Sequence, residues 1–319
     1  MLPLNSTSSN RIPHFLLICF PSMQSWQYWI SIPVALLFLV AMFANITILA
    51  VIQREQHLHK PMFYYLGILA FLDVFLCITT MPKILAILCF NLTSITLPLC
   101  FLQMYLMNTL LSMQSSAFLF MAYDRYVAIC NPLRYPSIVT SRFVAKTLGF
   151  LLLRNGLLCL PYPILAAKLQ YCSRNVVEHC VCTNVAVTSL ACSDSRINKI
   201  YQLVIGFGLL GSDLIFICMS YCMILRVVKI QVEGVAAKAF STCTPHLILI
   251  SFFYTILLVW IFTIKMEKVV RPDITILLNV LHLLIPPTLN PIVYGVRAKD
   301  IRRGITNVLR DGSKMIKLK

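Results

Sequence analysis

The residues of this chain that could do chemistry are charges set inside long apolar stretches. Asp73 and Asp213 each stand in a run otherwise suited to lipid, Lys83 and Arg154 do the same, and Asp124-Arg125 follows directly on a third run. A charge in hydrocarbon is costly, so it must face a protein interior and find polar partners there, and such residues mark ion, ligand or switching sites. For Asp73 the expected partners are Asn45 and Asn290; for Asp213 the partner stays open. Asp73 can also be read as a neutral, hydrogen-bonded acid that only ties helices together. Asp124-Arg125 has two readings as well. It is a surface ion pair worth about 0–1 kcal/mol, or a switch in which Arg125 is held at a helix end and released when helices move.

Other chemistries are missing. The chain has no Ser/His/Asp, metal-ligand or phosphate-loop constellation, and His57 and His59 flank a turn without carboxylates at ligand spacing. An enzyme is therefore not expected, nor a cofactor or resident metal.

The elements that must position these groups follow from composition. Of 319 residues 59% are hydrophobic and 12% charged, against about 25% charged in a soluble domain, and the mean hydropathy is +0.83. The apolar residues gather in seven runs, 29–52, 61–86, 97–123, 147–167, 200–225, 239–264 and 274–296. About 20 residues cross a bilayer as a helix, and backbone in lipid must satisfy its own hydrogen bonds, so seven such runs predict a bundle of seven transmembrane helices and not a barrel. The expected division is a tail over 1–28, the bundle over 29–296 and a second tail over 297–319.

Lys and Arg give the orientation. With the N-terminus outside, 17 fall on the cytoplasmic side and 8 on the other, the asymmetry that the positive-inside rule requires. The net charge of +16 is then an orientation signal and an attraction to anionic membrane lipid, not a nucleic-acid footprint. A multi-pass protein of the cell membrane is expected. Asn5-Ser6-Thr7 is a sequon in the outer tail and predicts glycosylation at Asn5; Asn91-Leu92-Thr93 sits close to the membrane and Asn45-Ile46-Thr47 lies inside a run. Phe15 to Phe20 is too short for a signal-peptide core, so the first span is expected to serve as its own insertion signal.

Thirteen cysteines divide into isolated ones inside spans, including Cys77, Cys159, Cys218, Cys222 and Cys243, and an outer cluster of Cys100, Cys172, Cys180, Cys182 and Cys192. The first group reads as small inert core residues. The second faces an oxidising compartment and is expected to pair, with one sulfur left over or paired elsewhere. A soft-metal site at His179-Cys180-Val181-Cys182 is the competing reading.

The stretch Met121-Ala122-Tyr123-Asp124-Arg125-Tyr126-Val127-Ala128-Ile129-Cys130-Asn131-Pro132-Leu133-Arg134-Tyr135 resembles the Asp-Arg-Tyr signature of rhodopsin-like G-protein-coupled receptors, in the extended form found in odorant receptors. Further matches come in the same order: Pro61-Met62-Phe63-Tyr64 with Asp73, Ser220-Tyr221, Lys238-Ala239-Phe240-Ser241-Thr242-Cys243 with His246, and Pro287-Thr288-Leu289-Asn290-Pro291-Ile292-Val293-Tyr294-Gly295. Asp213 and the long second outer loop resemble the fish-like class I branch. The resemblance implies bridges Cys100–Cys182 and Cys172–Cys192, which leaves Cys180 spare. It implies that Asp124, Arg125 and Tyr126 work with Tyr221, Asn290, Pro291 and Tyr294 as a G-protein switch, Pro291 allowing the seventh helix to hinge. Gln114 stands where the family commonly has Glu, so any cation site shared with Asp73 carries one negative charge fewer. The intramembrane polar set is then Asn45, Asp73, Gln114 and Asp213.

By the same resemblance a small ligand sits between the outer halves of the third, fifth and sixth helices. That region offers Met104, Met107, Asn108, Leu111, Ser112, Gln202, Ile205, Phe207, Tyr254, Leu258, Ile261 and Lys265, a mostly apolar set with a few hydrogen-bonding groups. Met107 replaces the Asp of amine receptors and Leu284 the retinal lysine of opsins. Lys265 reads as a lysine snorkelling to water or as the partner of a ligand carboxylate. After Gly295 the spacing of Val296, Ala298, Ile301, Ile305, Val308 and Leu309 predicts an amphipathic eighth helix on the inner leaflet; a disordered basic tail is the other reading.

The implied function is an odorant receptor: a small odorant, such as a carboxylic acid or another polar odorant, shifts the bundle and activates a heterotrimeric G protein of the stimulatory olfactory class, raising cyclic AMP. The alternatives are a transporter or channel, against which stands the lack of inverted repeats, and a rhodopsin-like receptor with a non-olfactory role.

Overall fold

The computed structural model describes residues 14–172, 175–229, 233–266, 269–297 and 300–307, with side chains described for all of these except 233–242 and 296–297. The Asn5 sequon and the eighth-helix positions Ala298, Val308 and Leu309 lie outside the described residues, as do the side chains of Lys238 to Thr242 and of Val296.

Seven helical passes form the bundle expected from the seven apolar runs. They are α1 (Gln27–Arg54), α2 (Pro61–Phe90), α3 (Leu97–Cys130), a fourth pass of α5 (Ser141–Cys159) and α6 (Pro161–Ala167), a fifth of α8 (Arg196–Gly206) and α9 (Ser212–Val228), then α10 (Glu233–Lys265) and α11 (Pro272–Arg297). Two short helices lie between passes, α4 (Tyr135–Ile138) and α7 (Asn184–Ser189). The helices outlast the apolar runs because the backbone ladder continues past the hydrocarbon into the headgroup zone. The fourth pass divides where Pro161 takes the first position of α6, the place where a missing N–H costs nothing. The fifth divides at Phe207–Gly211, a π-helical segment flanked and interrupted by glycines. Its wider turn shifts the face that later residues present.

Among the described residues six passes are apolar enough to cross a membrane by composition alone, and α3 is the exception. Gln103, Asn108, Thr109, Ser112, Gln114, Ser115 and Ser116 dilute it. The helix tolerates them because it packs against α2, α5, α6, α9 and α10, so its polar side chains meet protein instead of lipid. Outward-facing Leu36, Leu39, Phe43, Phe71, Phe75, Leu152, Leu153 and Phe216 are all exposed, the belt that lipid covers in a protein of this shape.

Among the described residues two large buried clusters fill the interior, with a small third of Leu72, Met113, Ala117 and Leu151. One, toward the end that the charge count places outside, gathers Leu76, Met81, Met104, Met107, Tyr162, Leu209 and Leu284; the other, toward the inner end, gathers Ile48, Leu66, Phe118, Met121, Tyr221, Phe253 and Tyr294. The outer end is closed by a three-stranded sheet of order β2-β1-β3. The strand β1 (His14–Leu17) pairs antiparallel with β2 (Ser94–Thr96) and parallel with β3 (Val176–Val177). Phe15 and Leu17 alternate into the core and are 0% exposed, with Phe15 edge-on to Tyr171 at 5.1 Å. The apolar stretch 15–20 thus starts in the central strand of a cap and continues into the buried Cys19 and Phe20.

At the inner end, residues 300–307 are helical. Ile301 is fully buried, and a Cβ placed on Gly304 would lie 2.6 Å from Val51 of α1. Only glycine lets this segment approach so closely. Asn307 reaches Glu55 at 3.3 Å, so the described part of the expected eighth helix docks on α1 rather than only resting on lipid.

Candidate functional site

The side chains singled out by type and spacing fall into three polar nodes stacked along the bundle, with an apolar region above them. At the innermost node the Arg125 Nε donates to Asp124 Oδ2 at 3.0 Å, and the Tyr135 hydroxyl from α4 donates to Asp124 Oδ1 at 2.8 Å. Asp124 is 1% exposed, so the reading as a solvated surface ion pair does not hold. Burial and the adjacent Asp124 carboxylate raise the Tyr135 phenol above its ordinary value, which keeps it protonated as a donor. Arg125 is close enough for its charge to act on Tyr221, His246 and Tyr294. The Tyr221 hydroxyl and His246 Nε2 are buried without a hydrogen-bond partner among the described residues, and Tyr294 reaches His246 Nδ1 only at 3.4 Å. Tyr126 lies beside Tyr123, ring centroids 6.3 Å apart. Among the described residues this node therefore holds unsatisfied polar groups near the Arg125–Asp124 pair.

The middle node is centred on Asp73, which is 0% exposed. Its carboxylate accepts from Gln114 Nε2 at 2.7 Å and Asn290 Nδ2 at 2.8 Å. Asn290 is the expected partner and Gln114 supplies the second donor. Asn45 is a correction. Its amide donates to the Pro287 carbonyl at 2.7 Å and to Ala41 at 2.8 Å. Pro291 explains this, since it lacks the N–H that would bond to the carbonyl four residues earlier, at Pro287. The Asn45 amide from α1 takes over that carbonyl, and the hinge in α11 is satisfied from a neighbouring helix.

The third node answers the question left open for Asp213. Arg154 of α5 donates to Asp213 Oδ1 at 2.8 Å, while Ser115 and Ser116 of α3 donate to Oδ2 at 3.0 and 2.8 Å. The Ser115 hydroxyl meets Tyr254 of α10 at 2.8 Å, Arg154 also donates to Ser212 at 3.0 Å, and Asn155 to Ser116 at 3.3 Å. The third, fourth, fifth and sixth passes are therefore joined through one carboxylate. Two of its members, Arg154 and Ser116, have nothing in the sequence beyond a charge in a span and a polar α3 to announce them.

On the outer face three disulfides close. Cys100–Cys182 and Cys172–Cys192 match the pairs implied by resemblance, with Cα atoms 5.4 and 6.0 Å apart. Cys180 is not spare: it pairs with Cys19, Cα atoms 4.7 Å apart, because β1 brings Cys19 under the second outer loop. With Cys180 and Cys182 both bonded, the soft-metal reading of His179-Cys180-Val181-Cys182 falls. Burial lowers the His179 pKa to about 4. Lys83 donates from its Nζ to the carbonyls of Leu92 and Ser94, both at 2.7 Å, and so ties the end of α2 to β2.

The ligand candidates do not all face one space. Met104 and Met107 are buried in the outer cluster, with Leu111 and Ile205 packed against it. Asn108 and Ser112 spend hydrogen bonds on their own helix, to Met104 at 2.7 Å and Asn108 at 2.8 Å. Tyr254 and Ile261 belong with the inner cluster. Gln202 accepts from Asn184 of α7 at 2.7 Å. Two candidates are corrected. Leu258 and Phe207 are 56% and 55% exposed on the outer surface. On α10 the inward position belongs to Leu257, since one residue is about 100° of helical turn; on the fifth pass the π segment turns Leu209 inward instead. Lys265 is exposed at the outer end of α10, as a lysine reaching for water would be.

The family profile described as "Olfactory receptor" matches residues 34–312. The human protein named Olfactory receptor 56A4 is 54% identical over 307 residues, covering 96% of this chain and 98% of its own length. Human Olfactory receptor 56A1 is 56% identical over 311 residues, 97% and 98% of the two chains, and human Olfactory receptor 52N4 is 40% identical over 317 residues, 98% of each.

Proposed function

This chain belongs to the olfactory receptor family, and on that premise we propose that a small odorant with a polar group, bound in the outer half of the bundle, drives activation of a stimulatory, olfactory-type heterotrimeric G protein and raises cyclic AMP. It is not an enzyme, and it works as a multi-pass membrane protein. The observation that carries the reading is the innermost node. Arg125 rests on a buried Asp124 that Tyr135 also holds, while among the described residues Tyr221 and His246 keep unpartnered polar atoms within reach of its charge. A conformation that moved Arg125 inward would bring a donor to the Tyr221 oxygen, and to His246 Nε2 in the tautomer that carries its proton on Nδ1, so the bundle has two polar arrangements to choose between. A ligand shifts such an equilibrium by its difference in affinity for the two. The Asp213 node gives the ligand a lever, since Tyr254 bonds α10 to α3 directly beneath the apolar region.

The test is to express the chain with an olfactory-type stimulatory G protein and to screen odorants by cyclic AMP. An odorant response that Arg125→Ala abolishes at unchanged surface expression is expected. A response that survives Arg125→Ala sinks the proposed switch.

A further inference from the structure

Two buried amides at the outer end of the fifth pass have no stated task. Asn184 on α7 and Asn198 on α8 are 3% and 4% exposed. Asn184 gives its Nδ2 to Gln202 Oε1 at 2.7 Å, but among the described residues its Oδ1 has no partner, and neither does Asn198 Nδ2. Buried polar atoms are rarely left without a hydrogen bond, and each exception needs an explanation. Here one orphan accepts and the other donates. Asn198, Gln202, Ile205 and Leu209 follow at spacings of four, three and four, the recurrence of one helix face. Below the amides that face enters the outer cluster, which holds Leu209, Met104 and Met107 and against which Ile205 packs. Polar groups at one end and an apolar region leading away from them are the makings of a site for a small amphiphile.

We propose that Asn184 and Asn198, with Gln202, form the head-group end of the ligand site, and that this end takes a neutral group which both donates and accepts, a primary alcohol or primary amide, with the hydrocarbon chain directed toward Met104, Met107 and Ile205. The pairing follows from chemistry. A hydroxyl donates to Asn184 Oδ1 and accepts from Asn198 Nδ2. A carboxylate has no proton to give and sets its charge against the Asn184 oxygen, and a hydrocarbon serves neither atom. This inference rests on the ligand site proposed above, and it names the ligand class.

The probes are 1-heptanol, heptanamide and heptanoic acid, equal in chain length, with two readouts. Thermal stabilisation of the purified receptor in lipid nanodiscs reads binding without coupling, and cyclic AMP in cells reads signalling. The alcohol and the amide should stabilise the wild-type protein and the acid should not. Asn198→Leu and Asn184→Leu should each weaken the alcohol and amide by about tenfold or more, because a site built to hydrogen-bond discriminates strongly. Removing an unpartnered amide should leave the unliganded melting temperature of Asn198→Leu unchanged or raised, whereas a structural role would lower it. The inference is overturned if the acid binds as well as the alcohol, if both variants bind all probes as the wild type does, or if no probe binds. Amide-dependent binding without cyclic AMP keeps this site and removes the receptor reading; signalling that both variants leave unchanged does the reverse.

Discussion

Arg154 and Asp213 meet at 2.8 Å inside the bundle, and the carboxylate is also the point where two α3 serines converge. A pair of this kind is worth little against a well-packed apolar replacement, but breaking it from one side leaves a charge stranded. Arg154→Met should therefore cost about 3–5 kcal/mol, the range for an uncompensated buried charge. The double variant Arg154→Met/Asp213→Leu should lose clearly less than the sum of the single losses. Thermal unfolding of the purified receptor measures this, and strict additivity would show that the two side chains do not act together.

The Cys19–Cys180 bridge predicts a matched set of phenotypes. Cys19→Ala, Cys180→Ala and the double variant should be destabilised alike, by about 2–4 kcal/mol as for other native bridges. Cys180 should become reactive toward a membrane-impermeant maleimide only when Cys19 is absent. If wild-type Cys180 is labelled without reductant, the bridge is not formed in the mature protein.

His179 gives the outer face a defined acid response. Its folded-state pKa is lowered to about 4 by burial, against an unfolded value of about 6.5. Above that unfolded value the imidazole is neutral in both states and contributes no pH dependence. Between about 6.5 and 4 only the unfolded chain takes up the proton, so stability falls as pH falls, by a total on the order of 3 kcal/mol. Below about 4 the slope should vanish. A melting-temperature profile from pH 7 to 4 checks the window, and His179→Gln should flatten it.

Much of this arrangement could be read from residue order, and the misses have physical causes. Seven runs gave seven passes because lipid forces helices on any long apolar segment. Asn290 on Asp73 and the pairing of Cys100 with Cys182 followed from position within known patterns. Asn45 departs from the expectation because the demand that it meets, a carbonyl released by Pro291, belongs to the backbone of a helix 242 residues away and is not visible as a side-chain partner. Leu258 and Phe207 failed on register: a one-residue step on a helix, or one π turn, exchanges lipid for interior. Cys19 is hard to read from residue order because a half-cystine inside an apolar stretch looks like core until the strand around it is known. Arg154 reads as a charge in a span, but nothing local points it at Asp213.

The cap at the outer end also sets an order of events during synthesis. Its central strand is made first, yet β2 follows some 80 residues later, β3 another 80 after that, and Cys19 waits 161 residues for its sulfur partner. Two passes must be threaded through the bilayer before β1 can meet β2, and four before β3 and Cys180 reach it on the other side. Until then an unpaired strand and a reduced thiol are exposed in the lumen, where chaperones and oxidoreductases can hold them. Delivery to the cell surface thus depends on the opening of the chain finding its middle, and a variant slow in inserting the third or fourth pass will be retained even when every residue of its ligand site is intact.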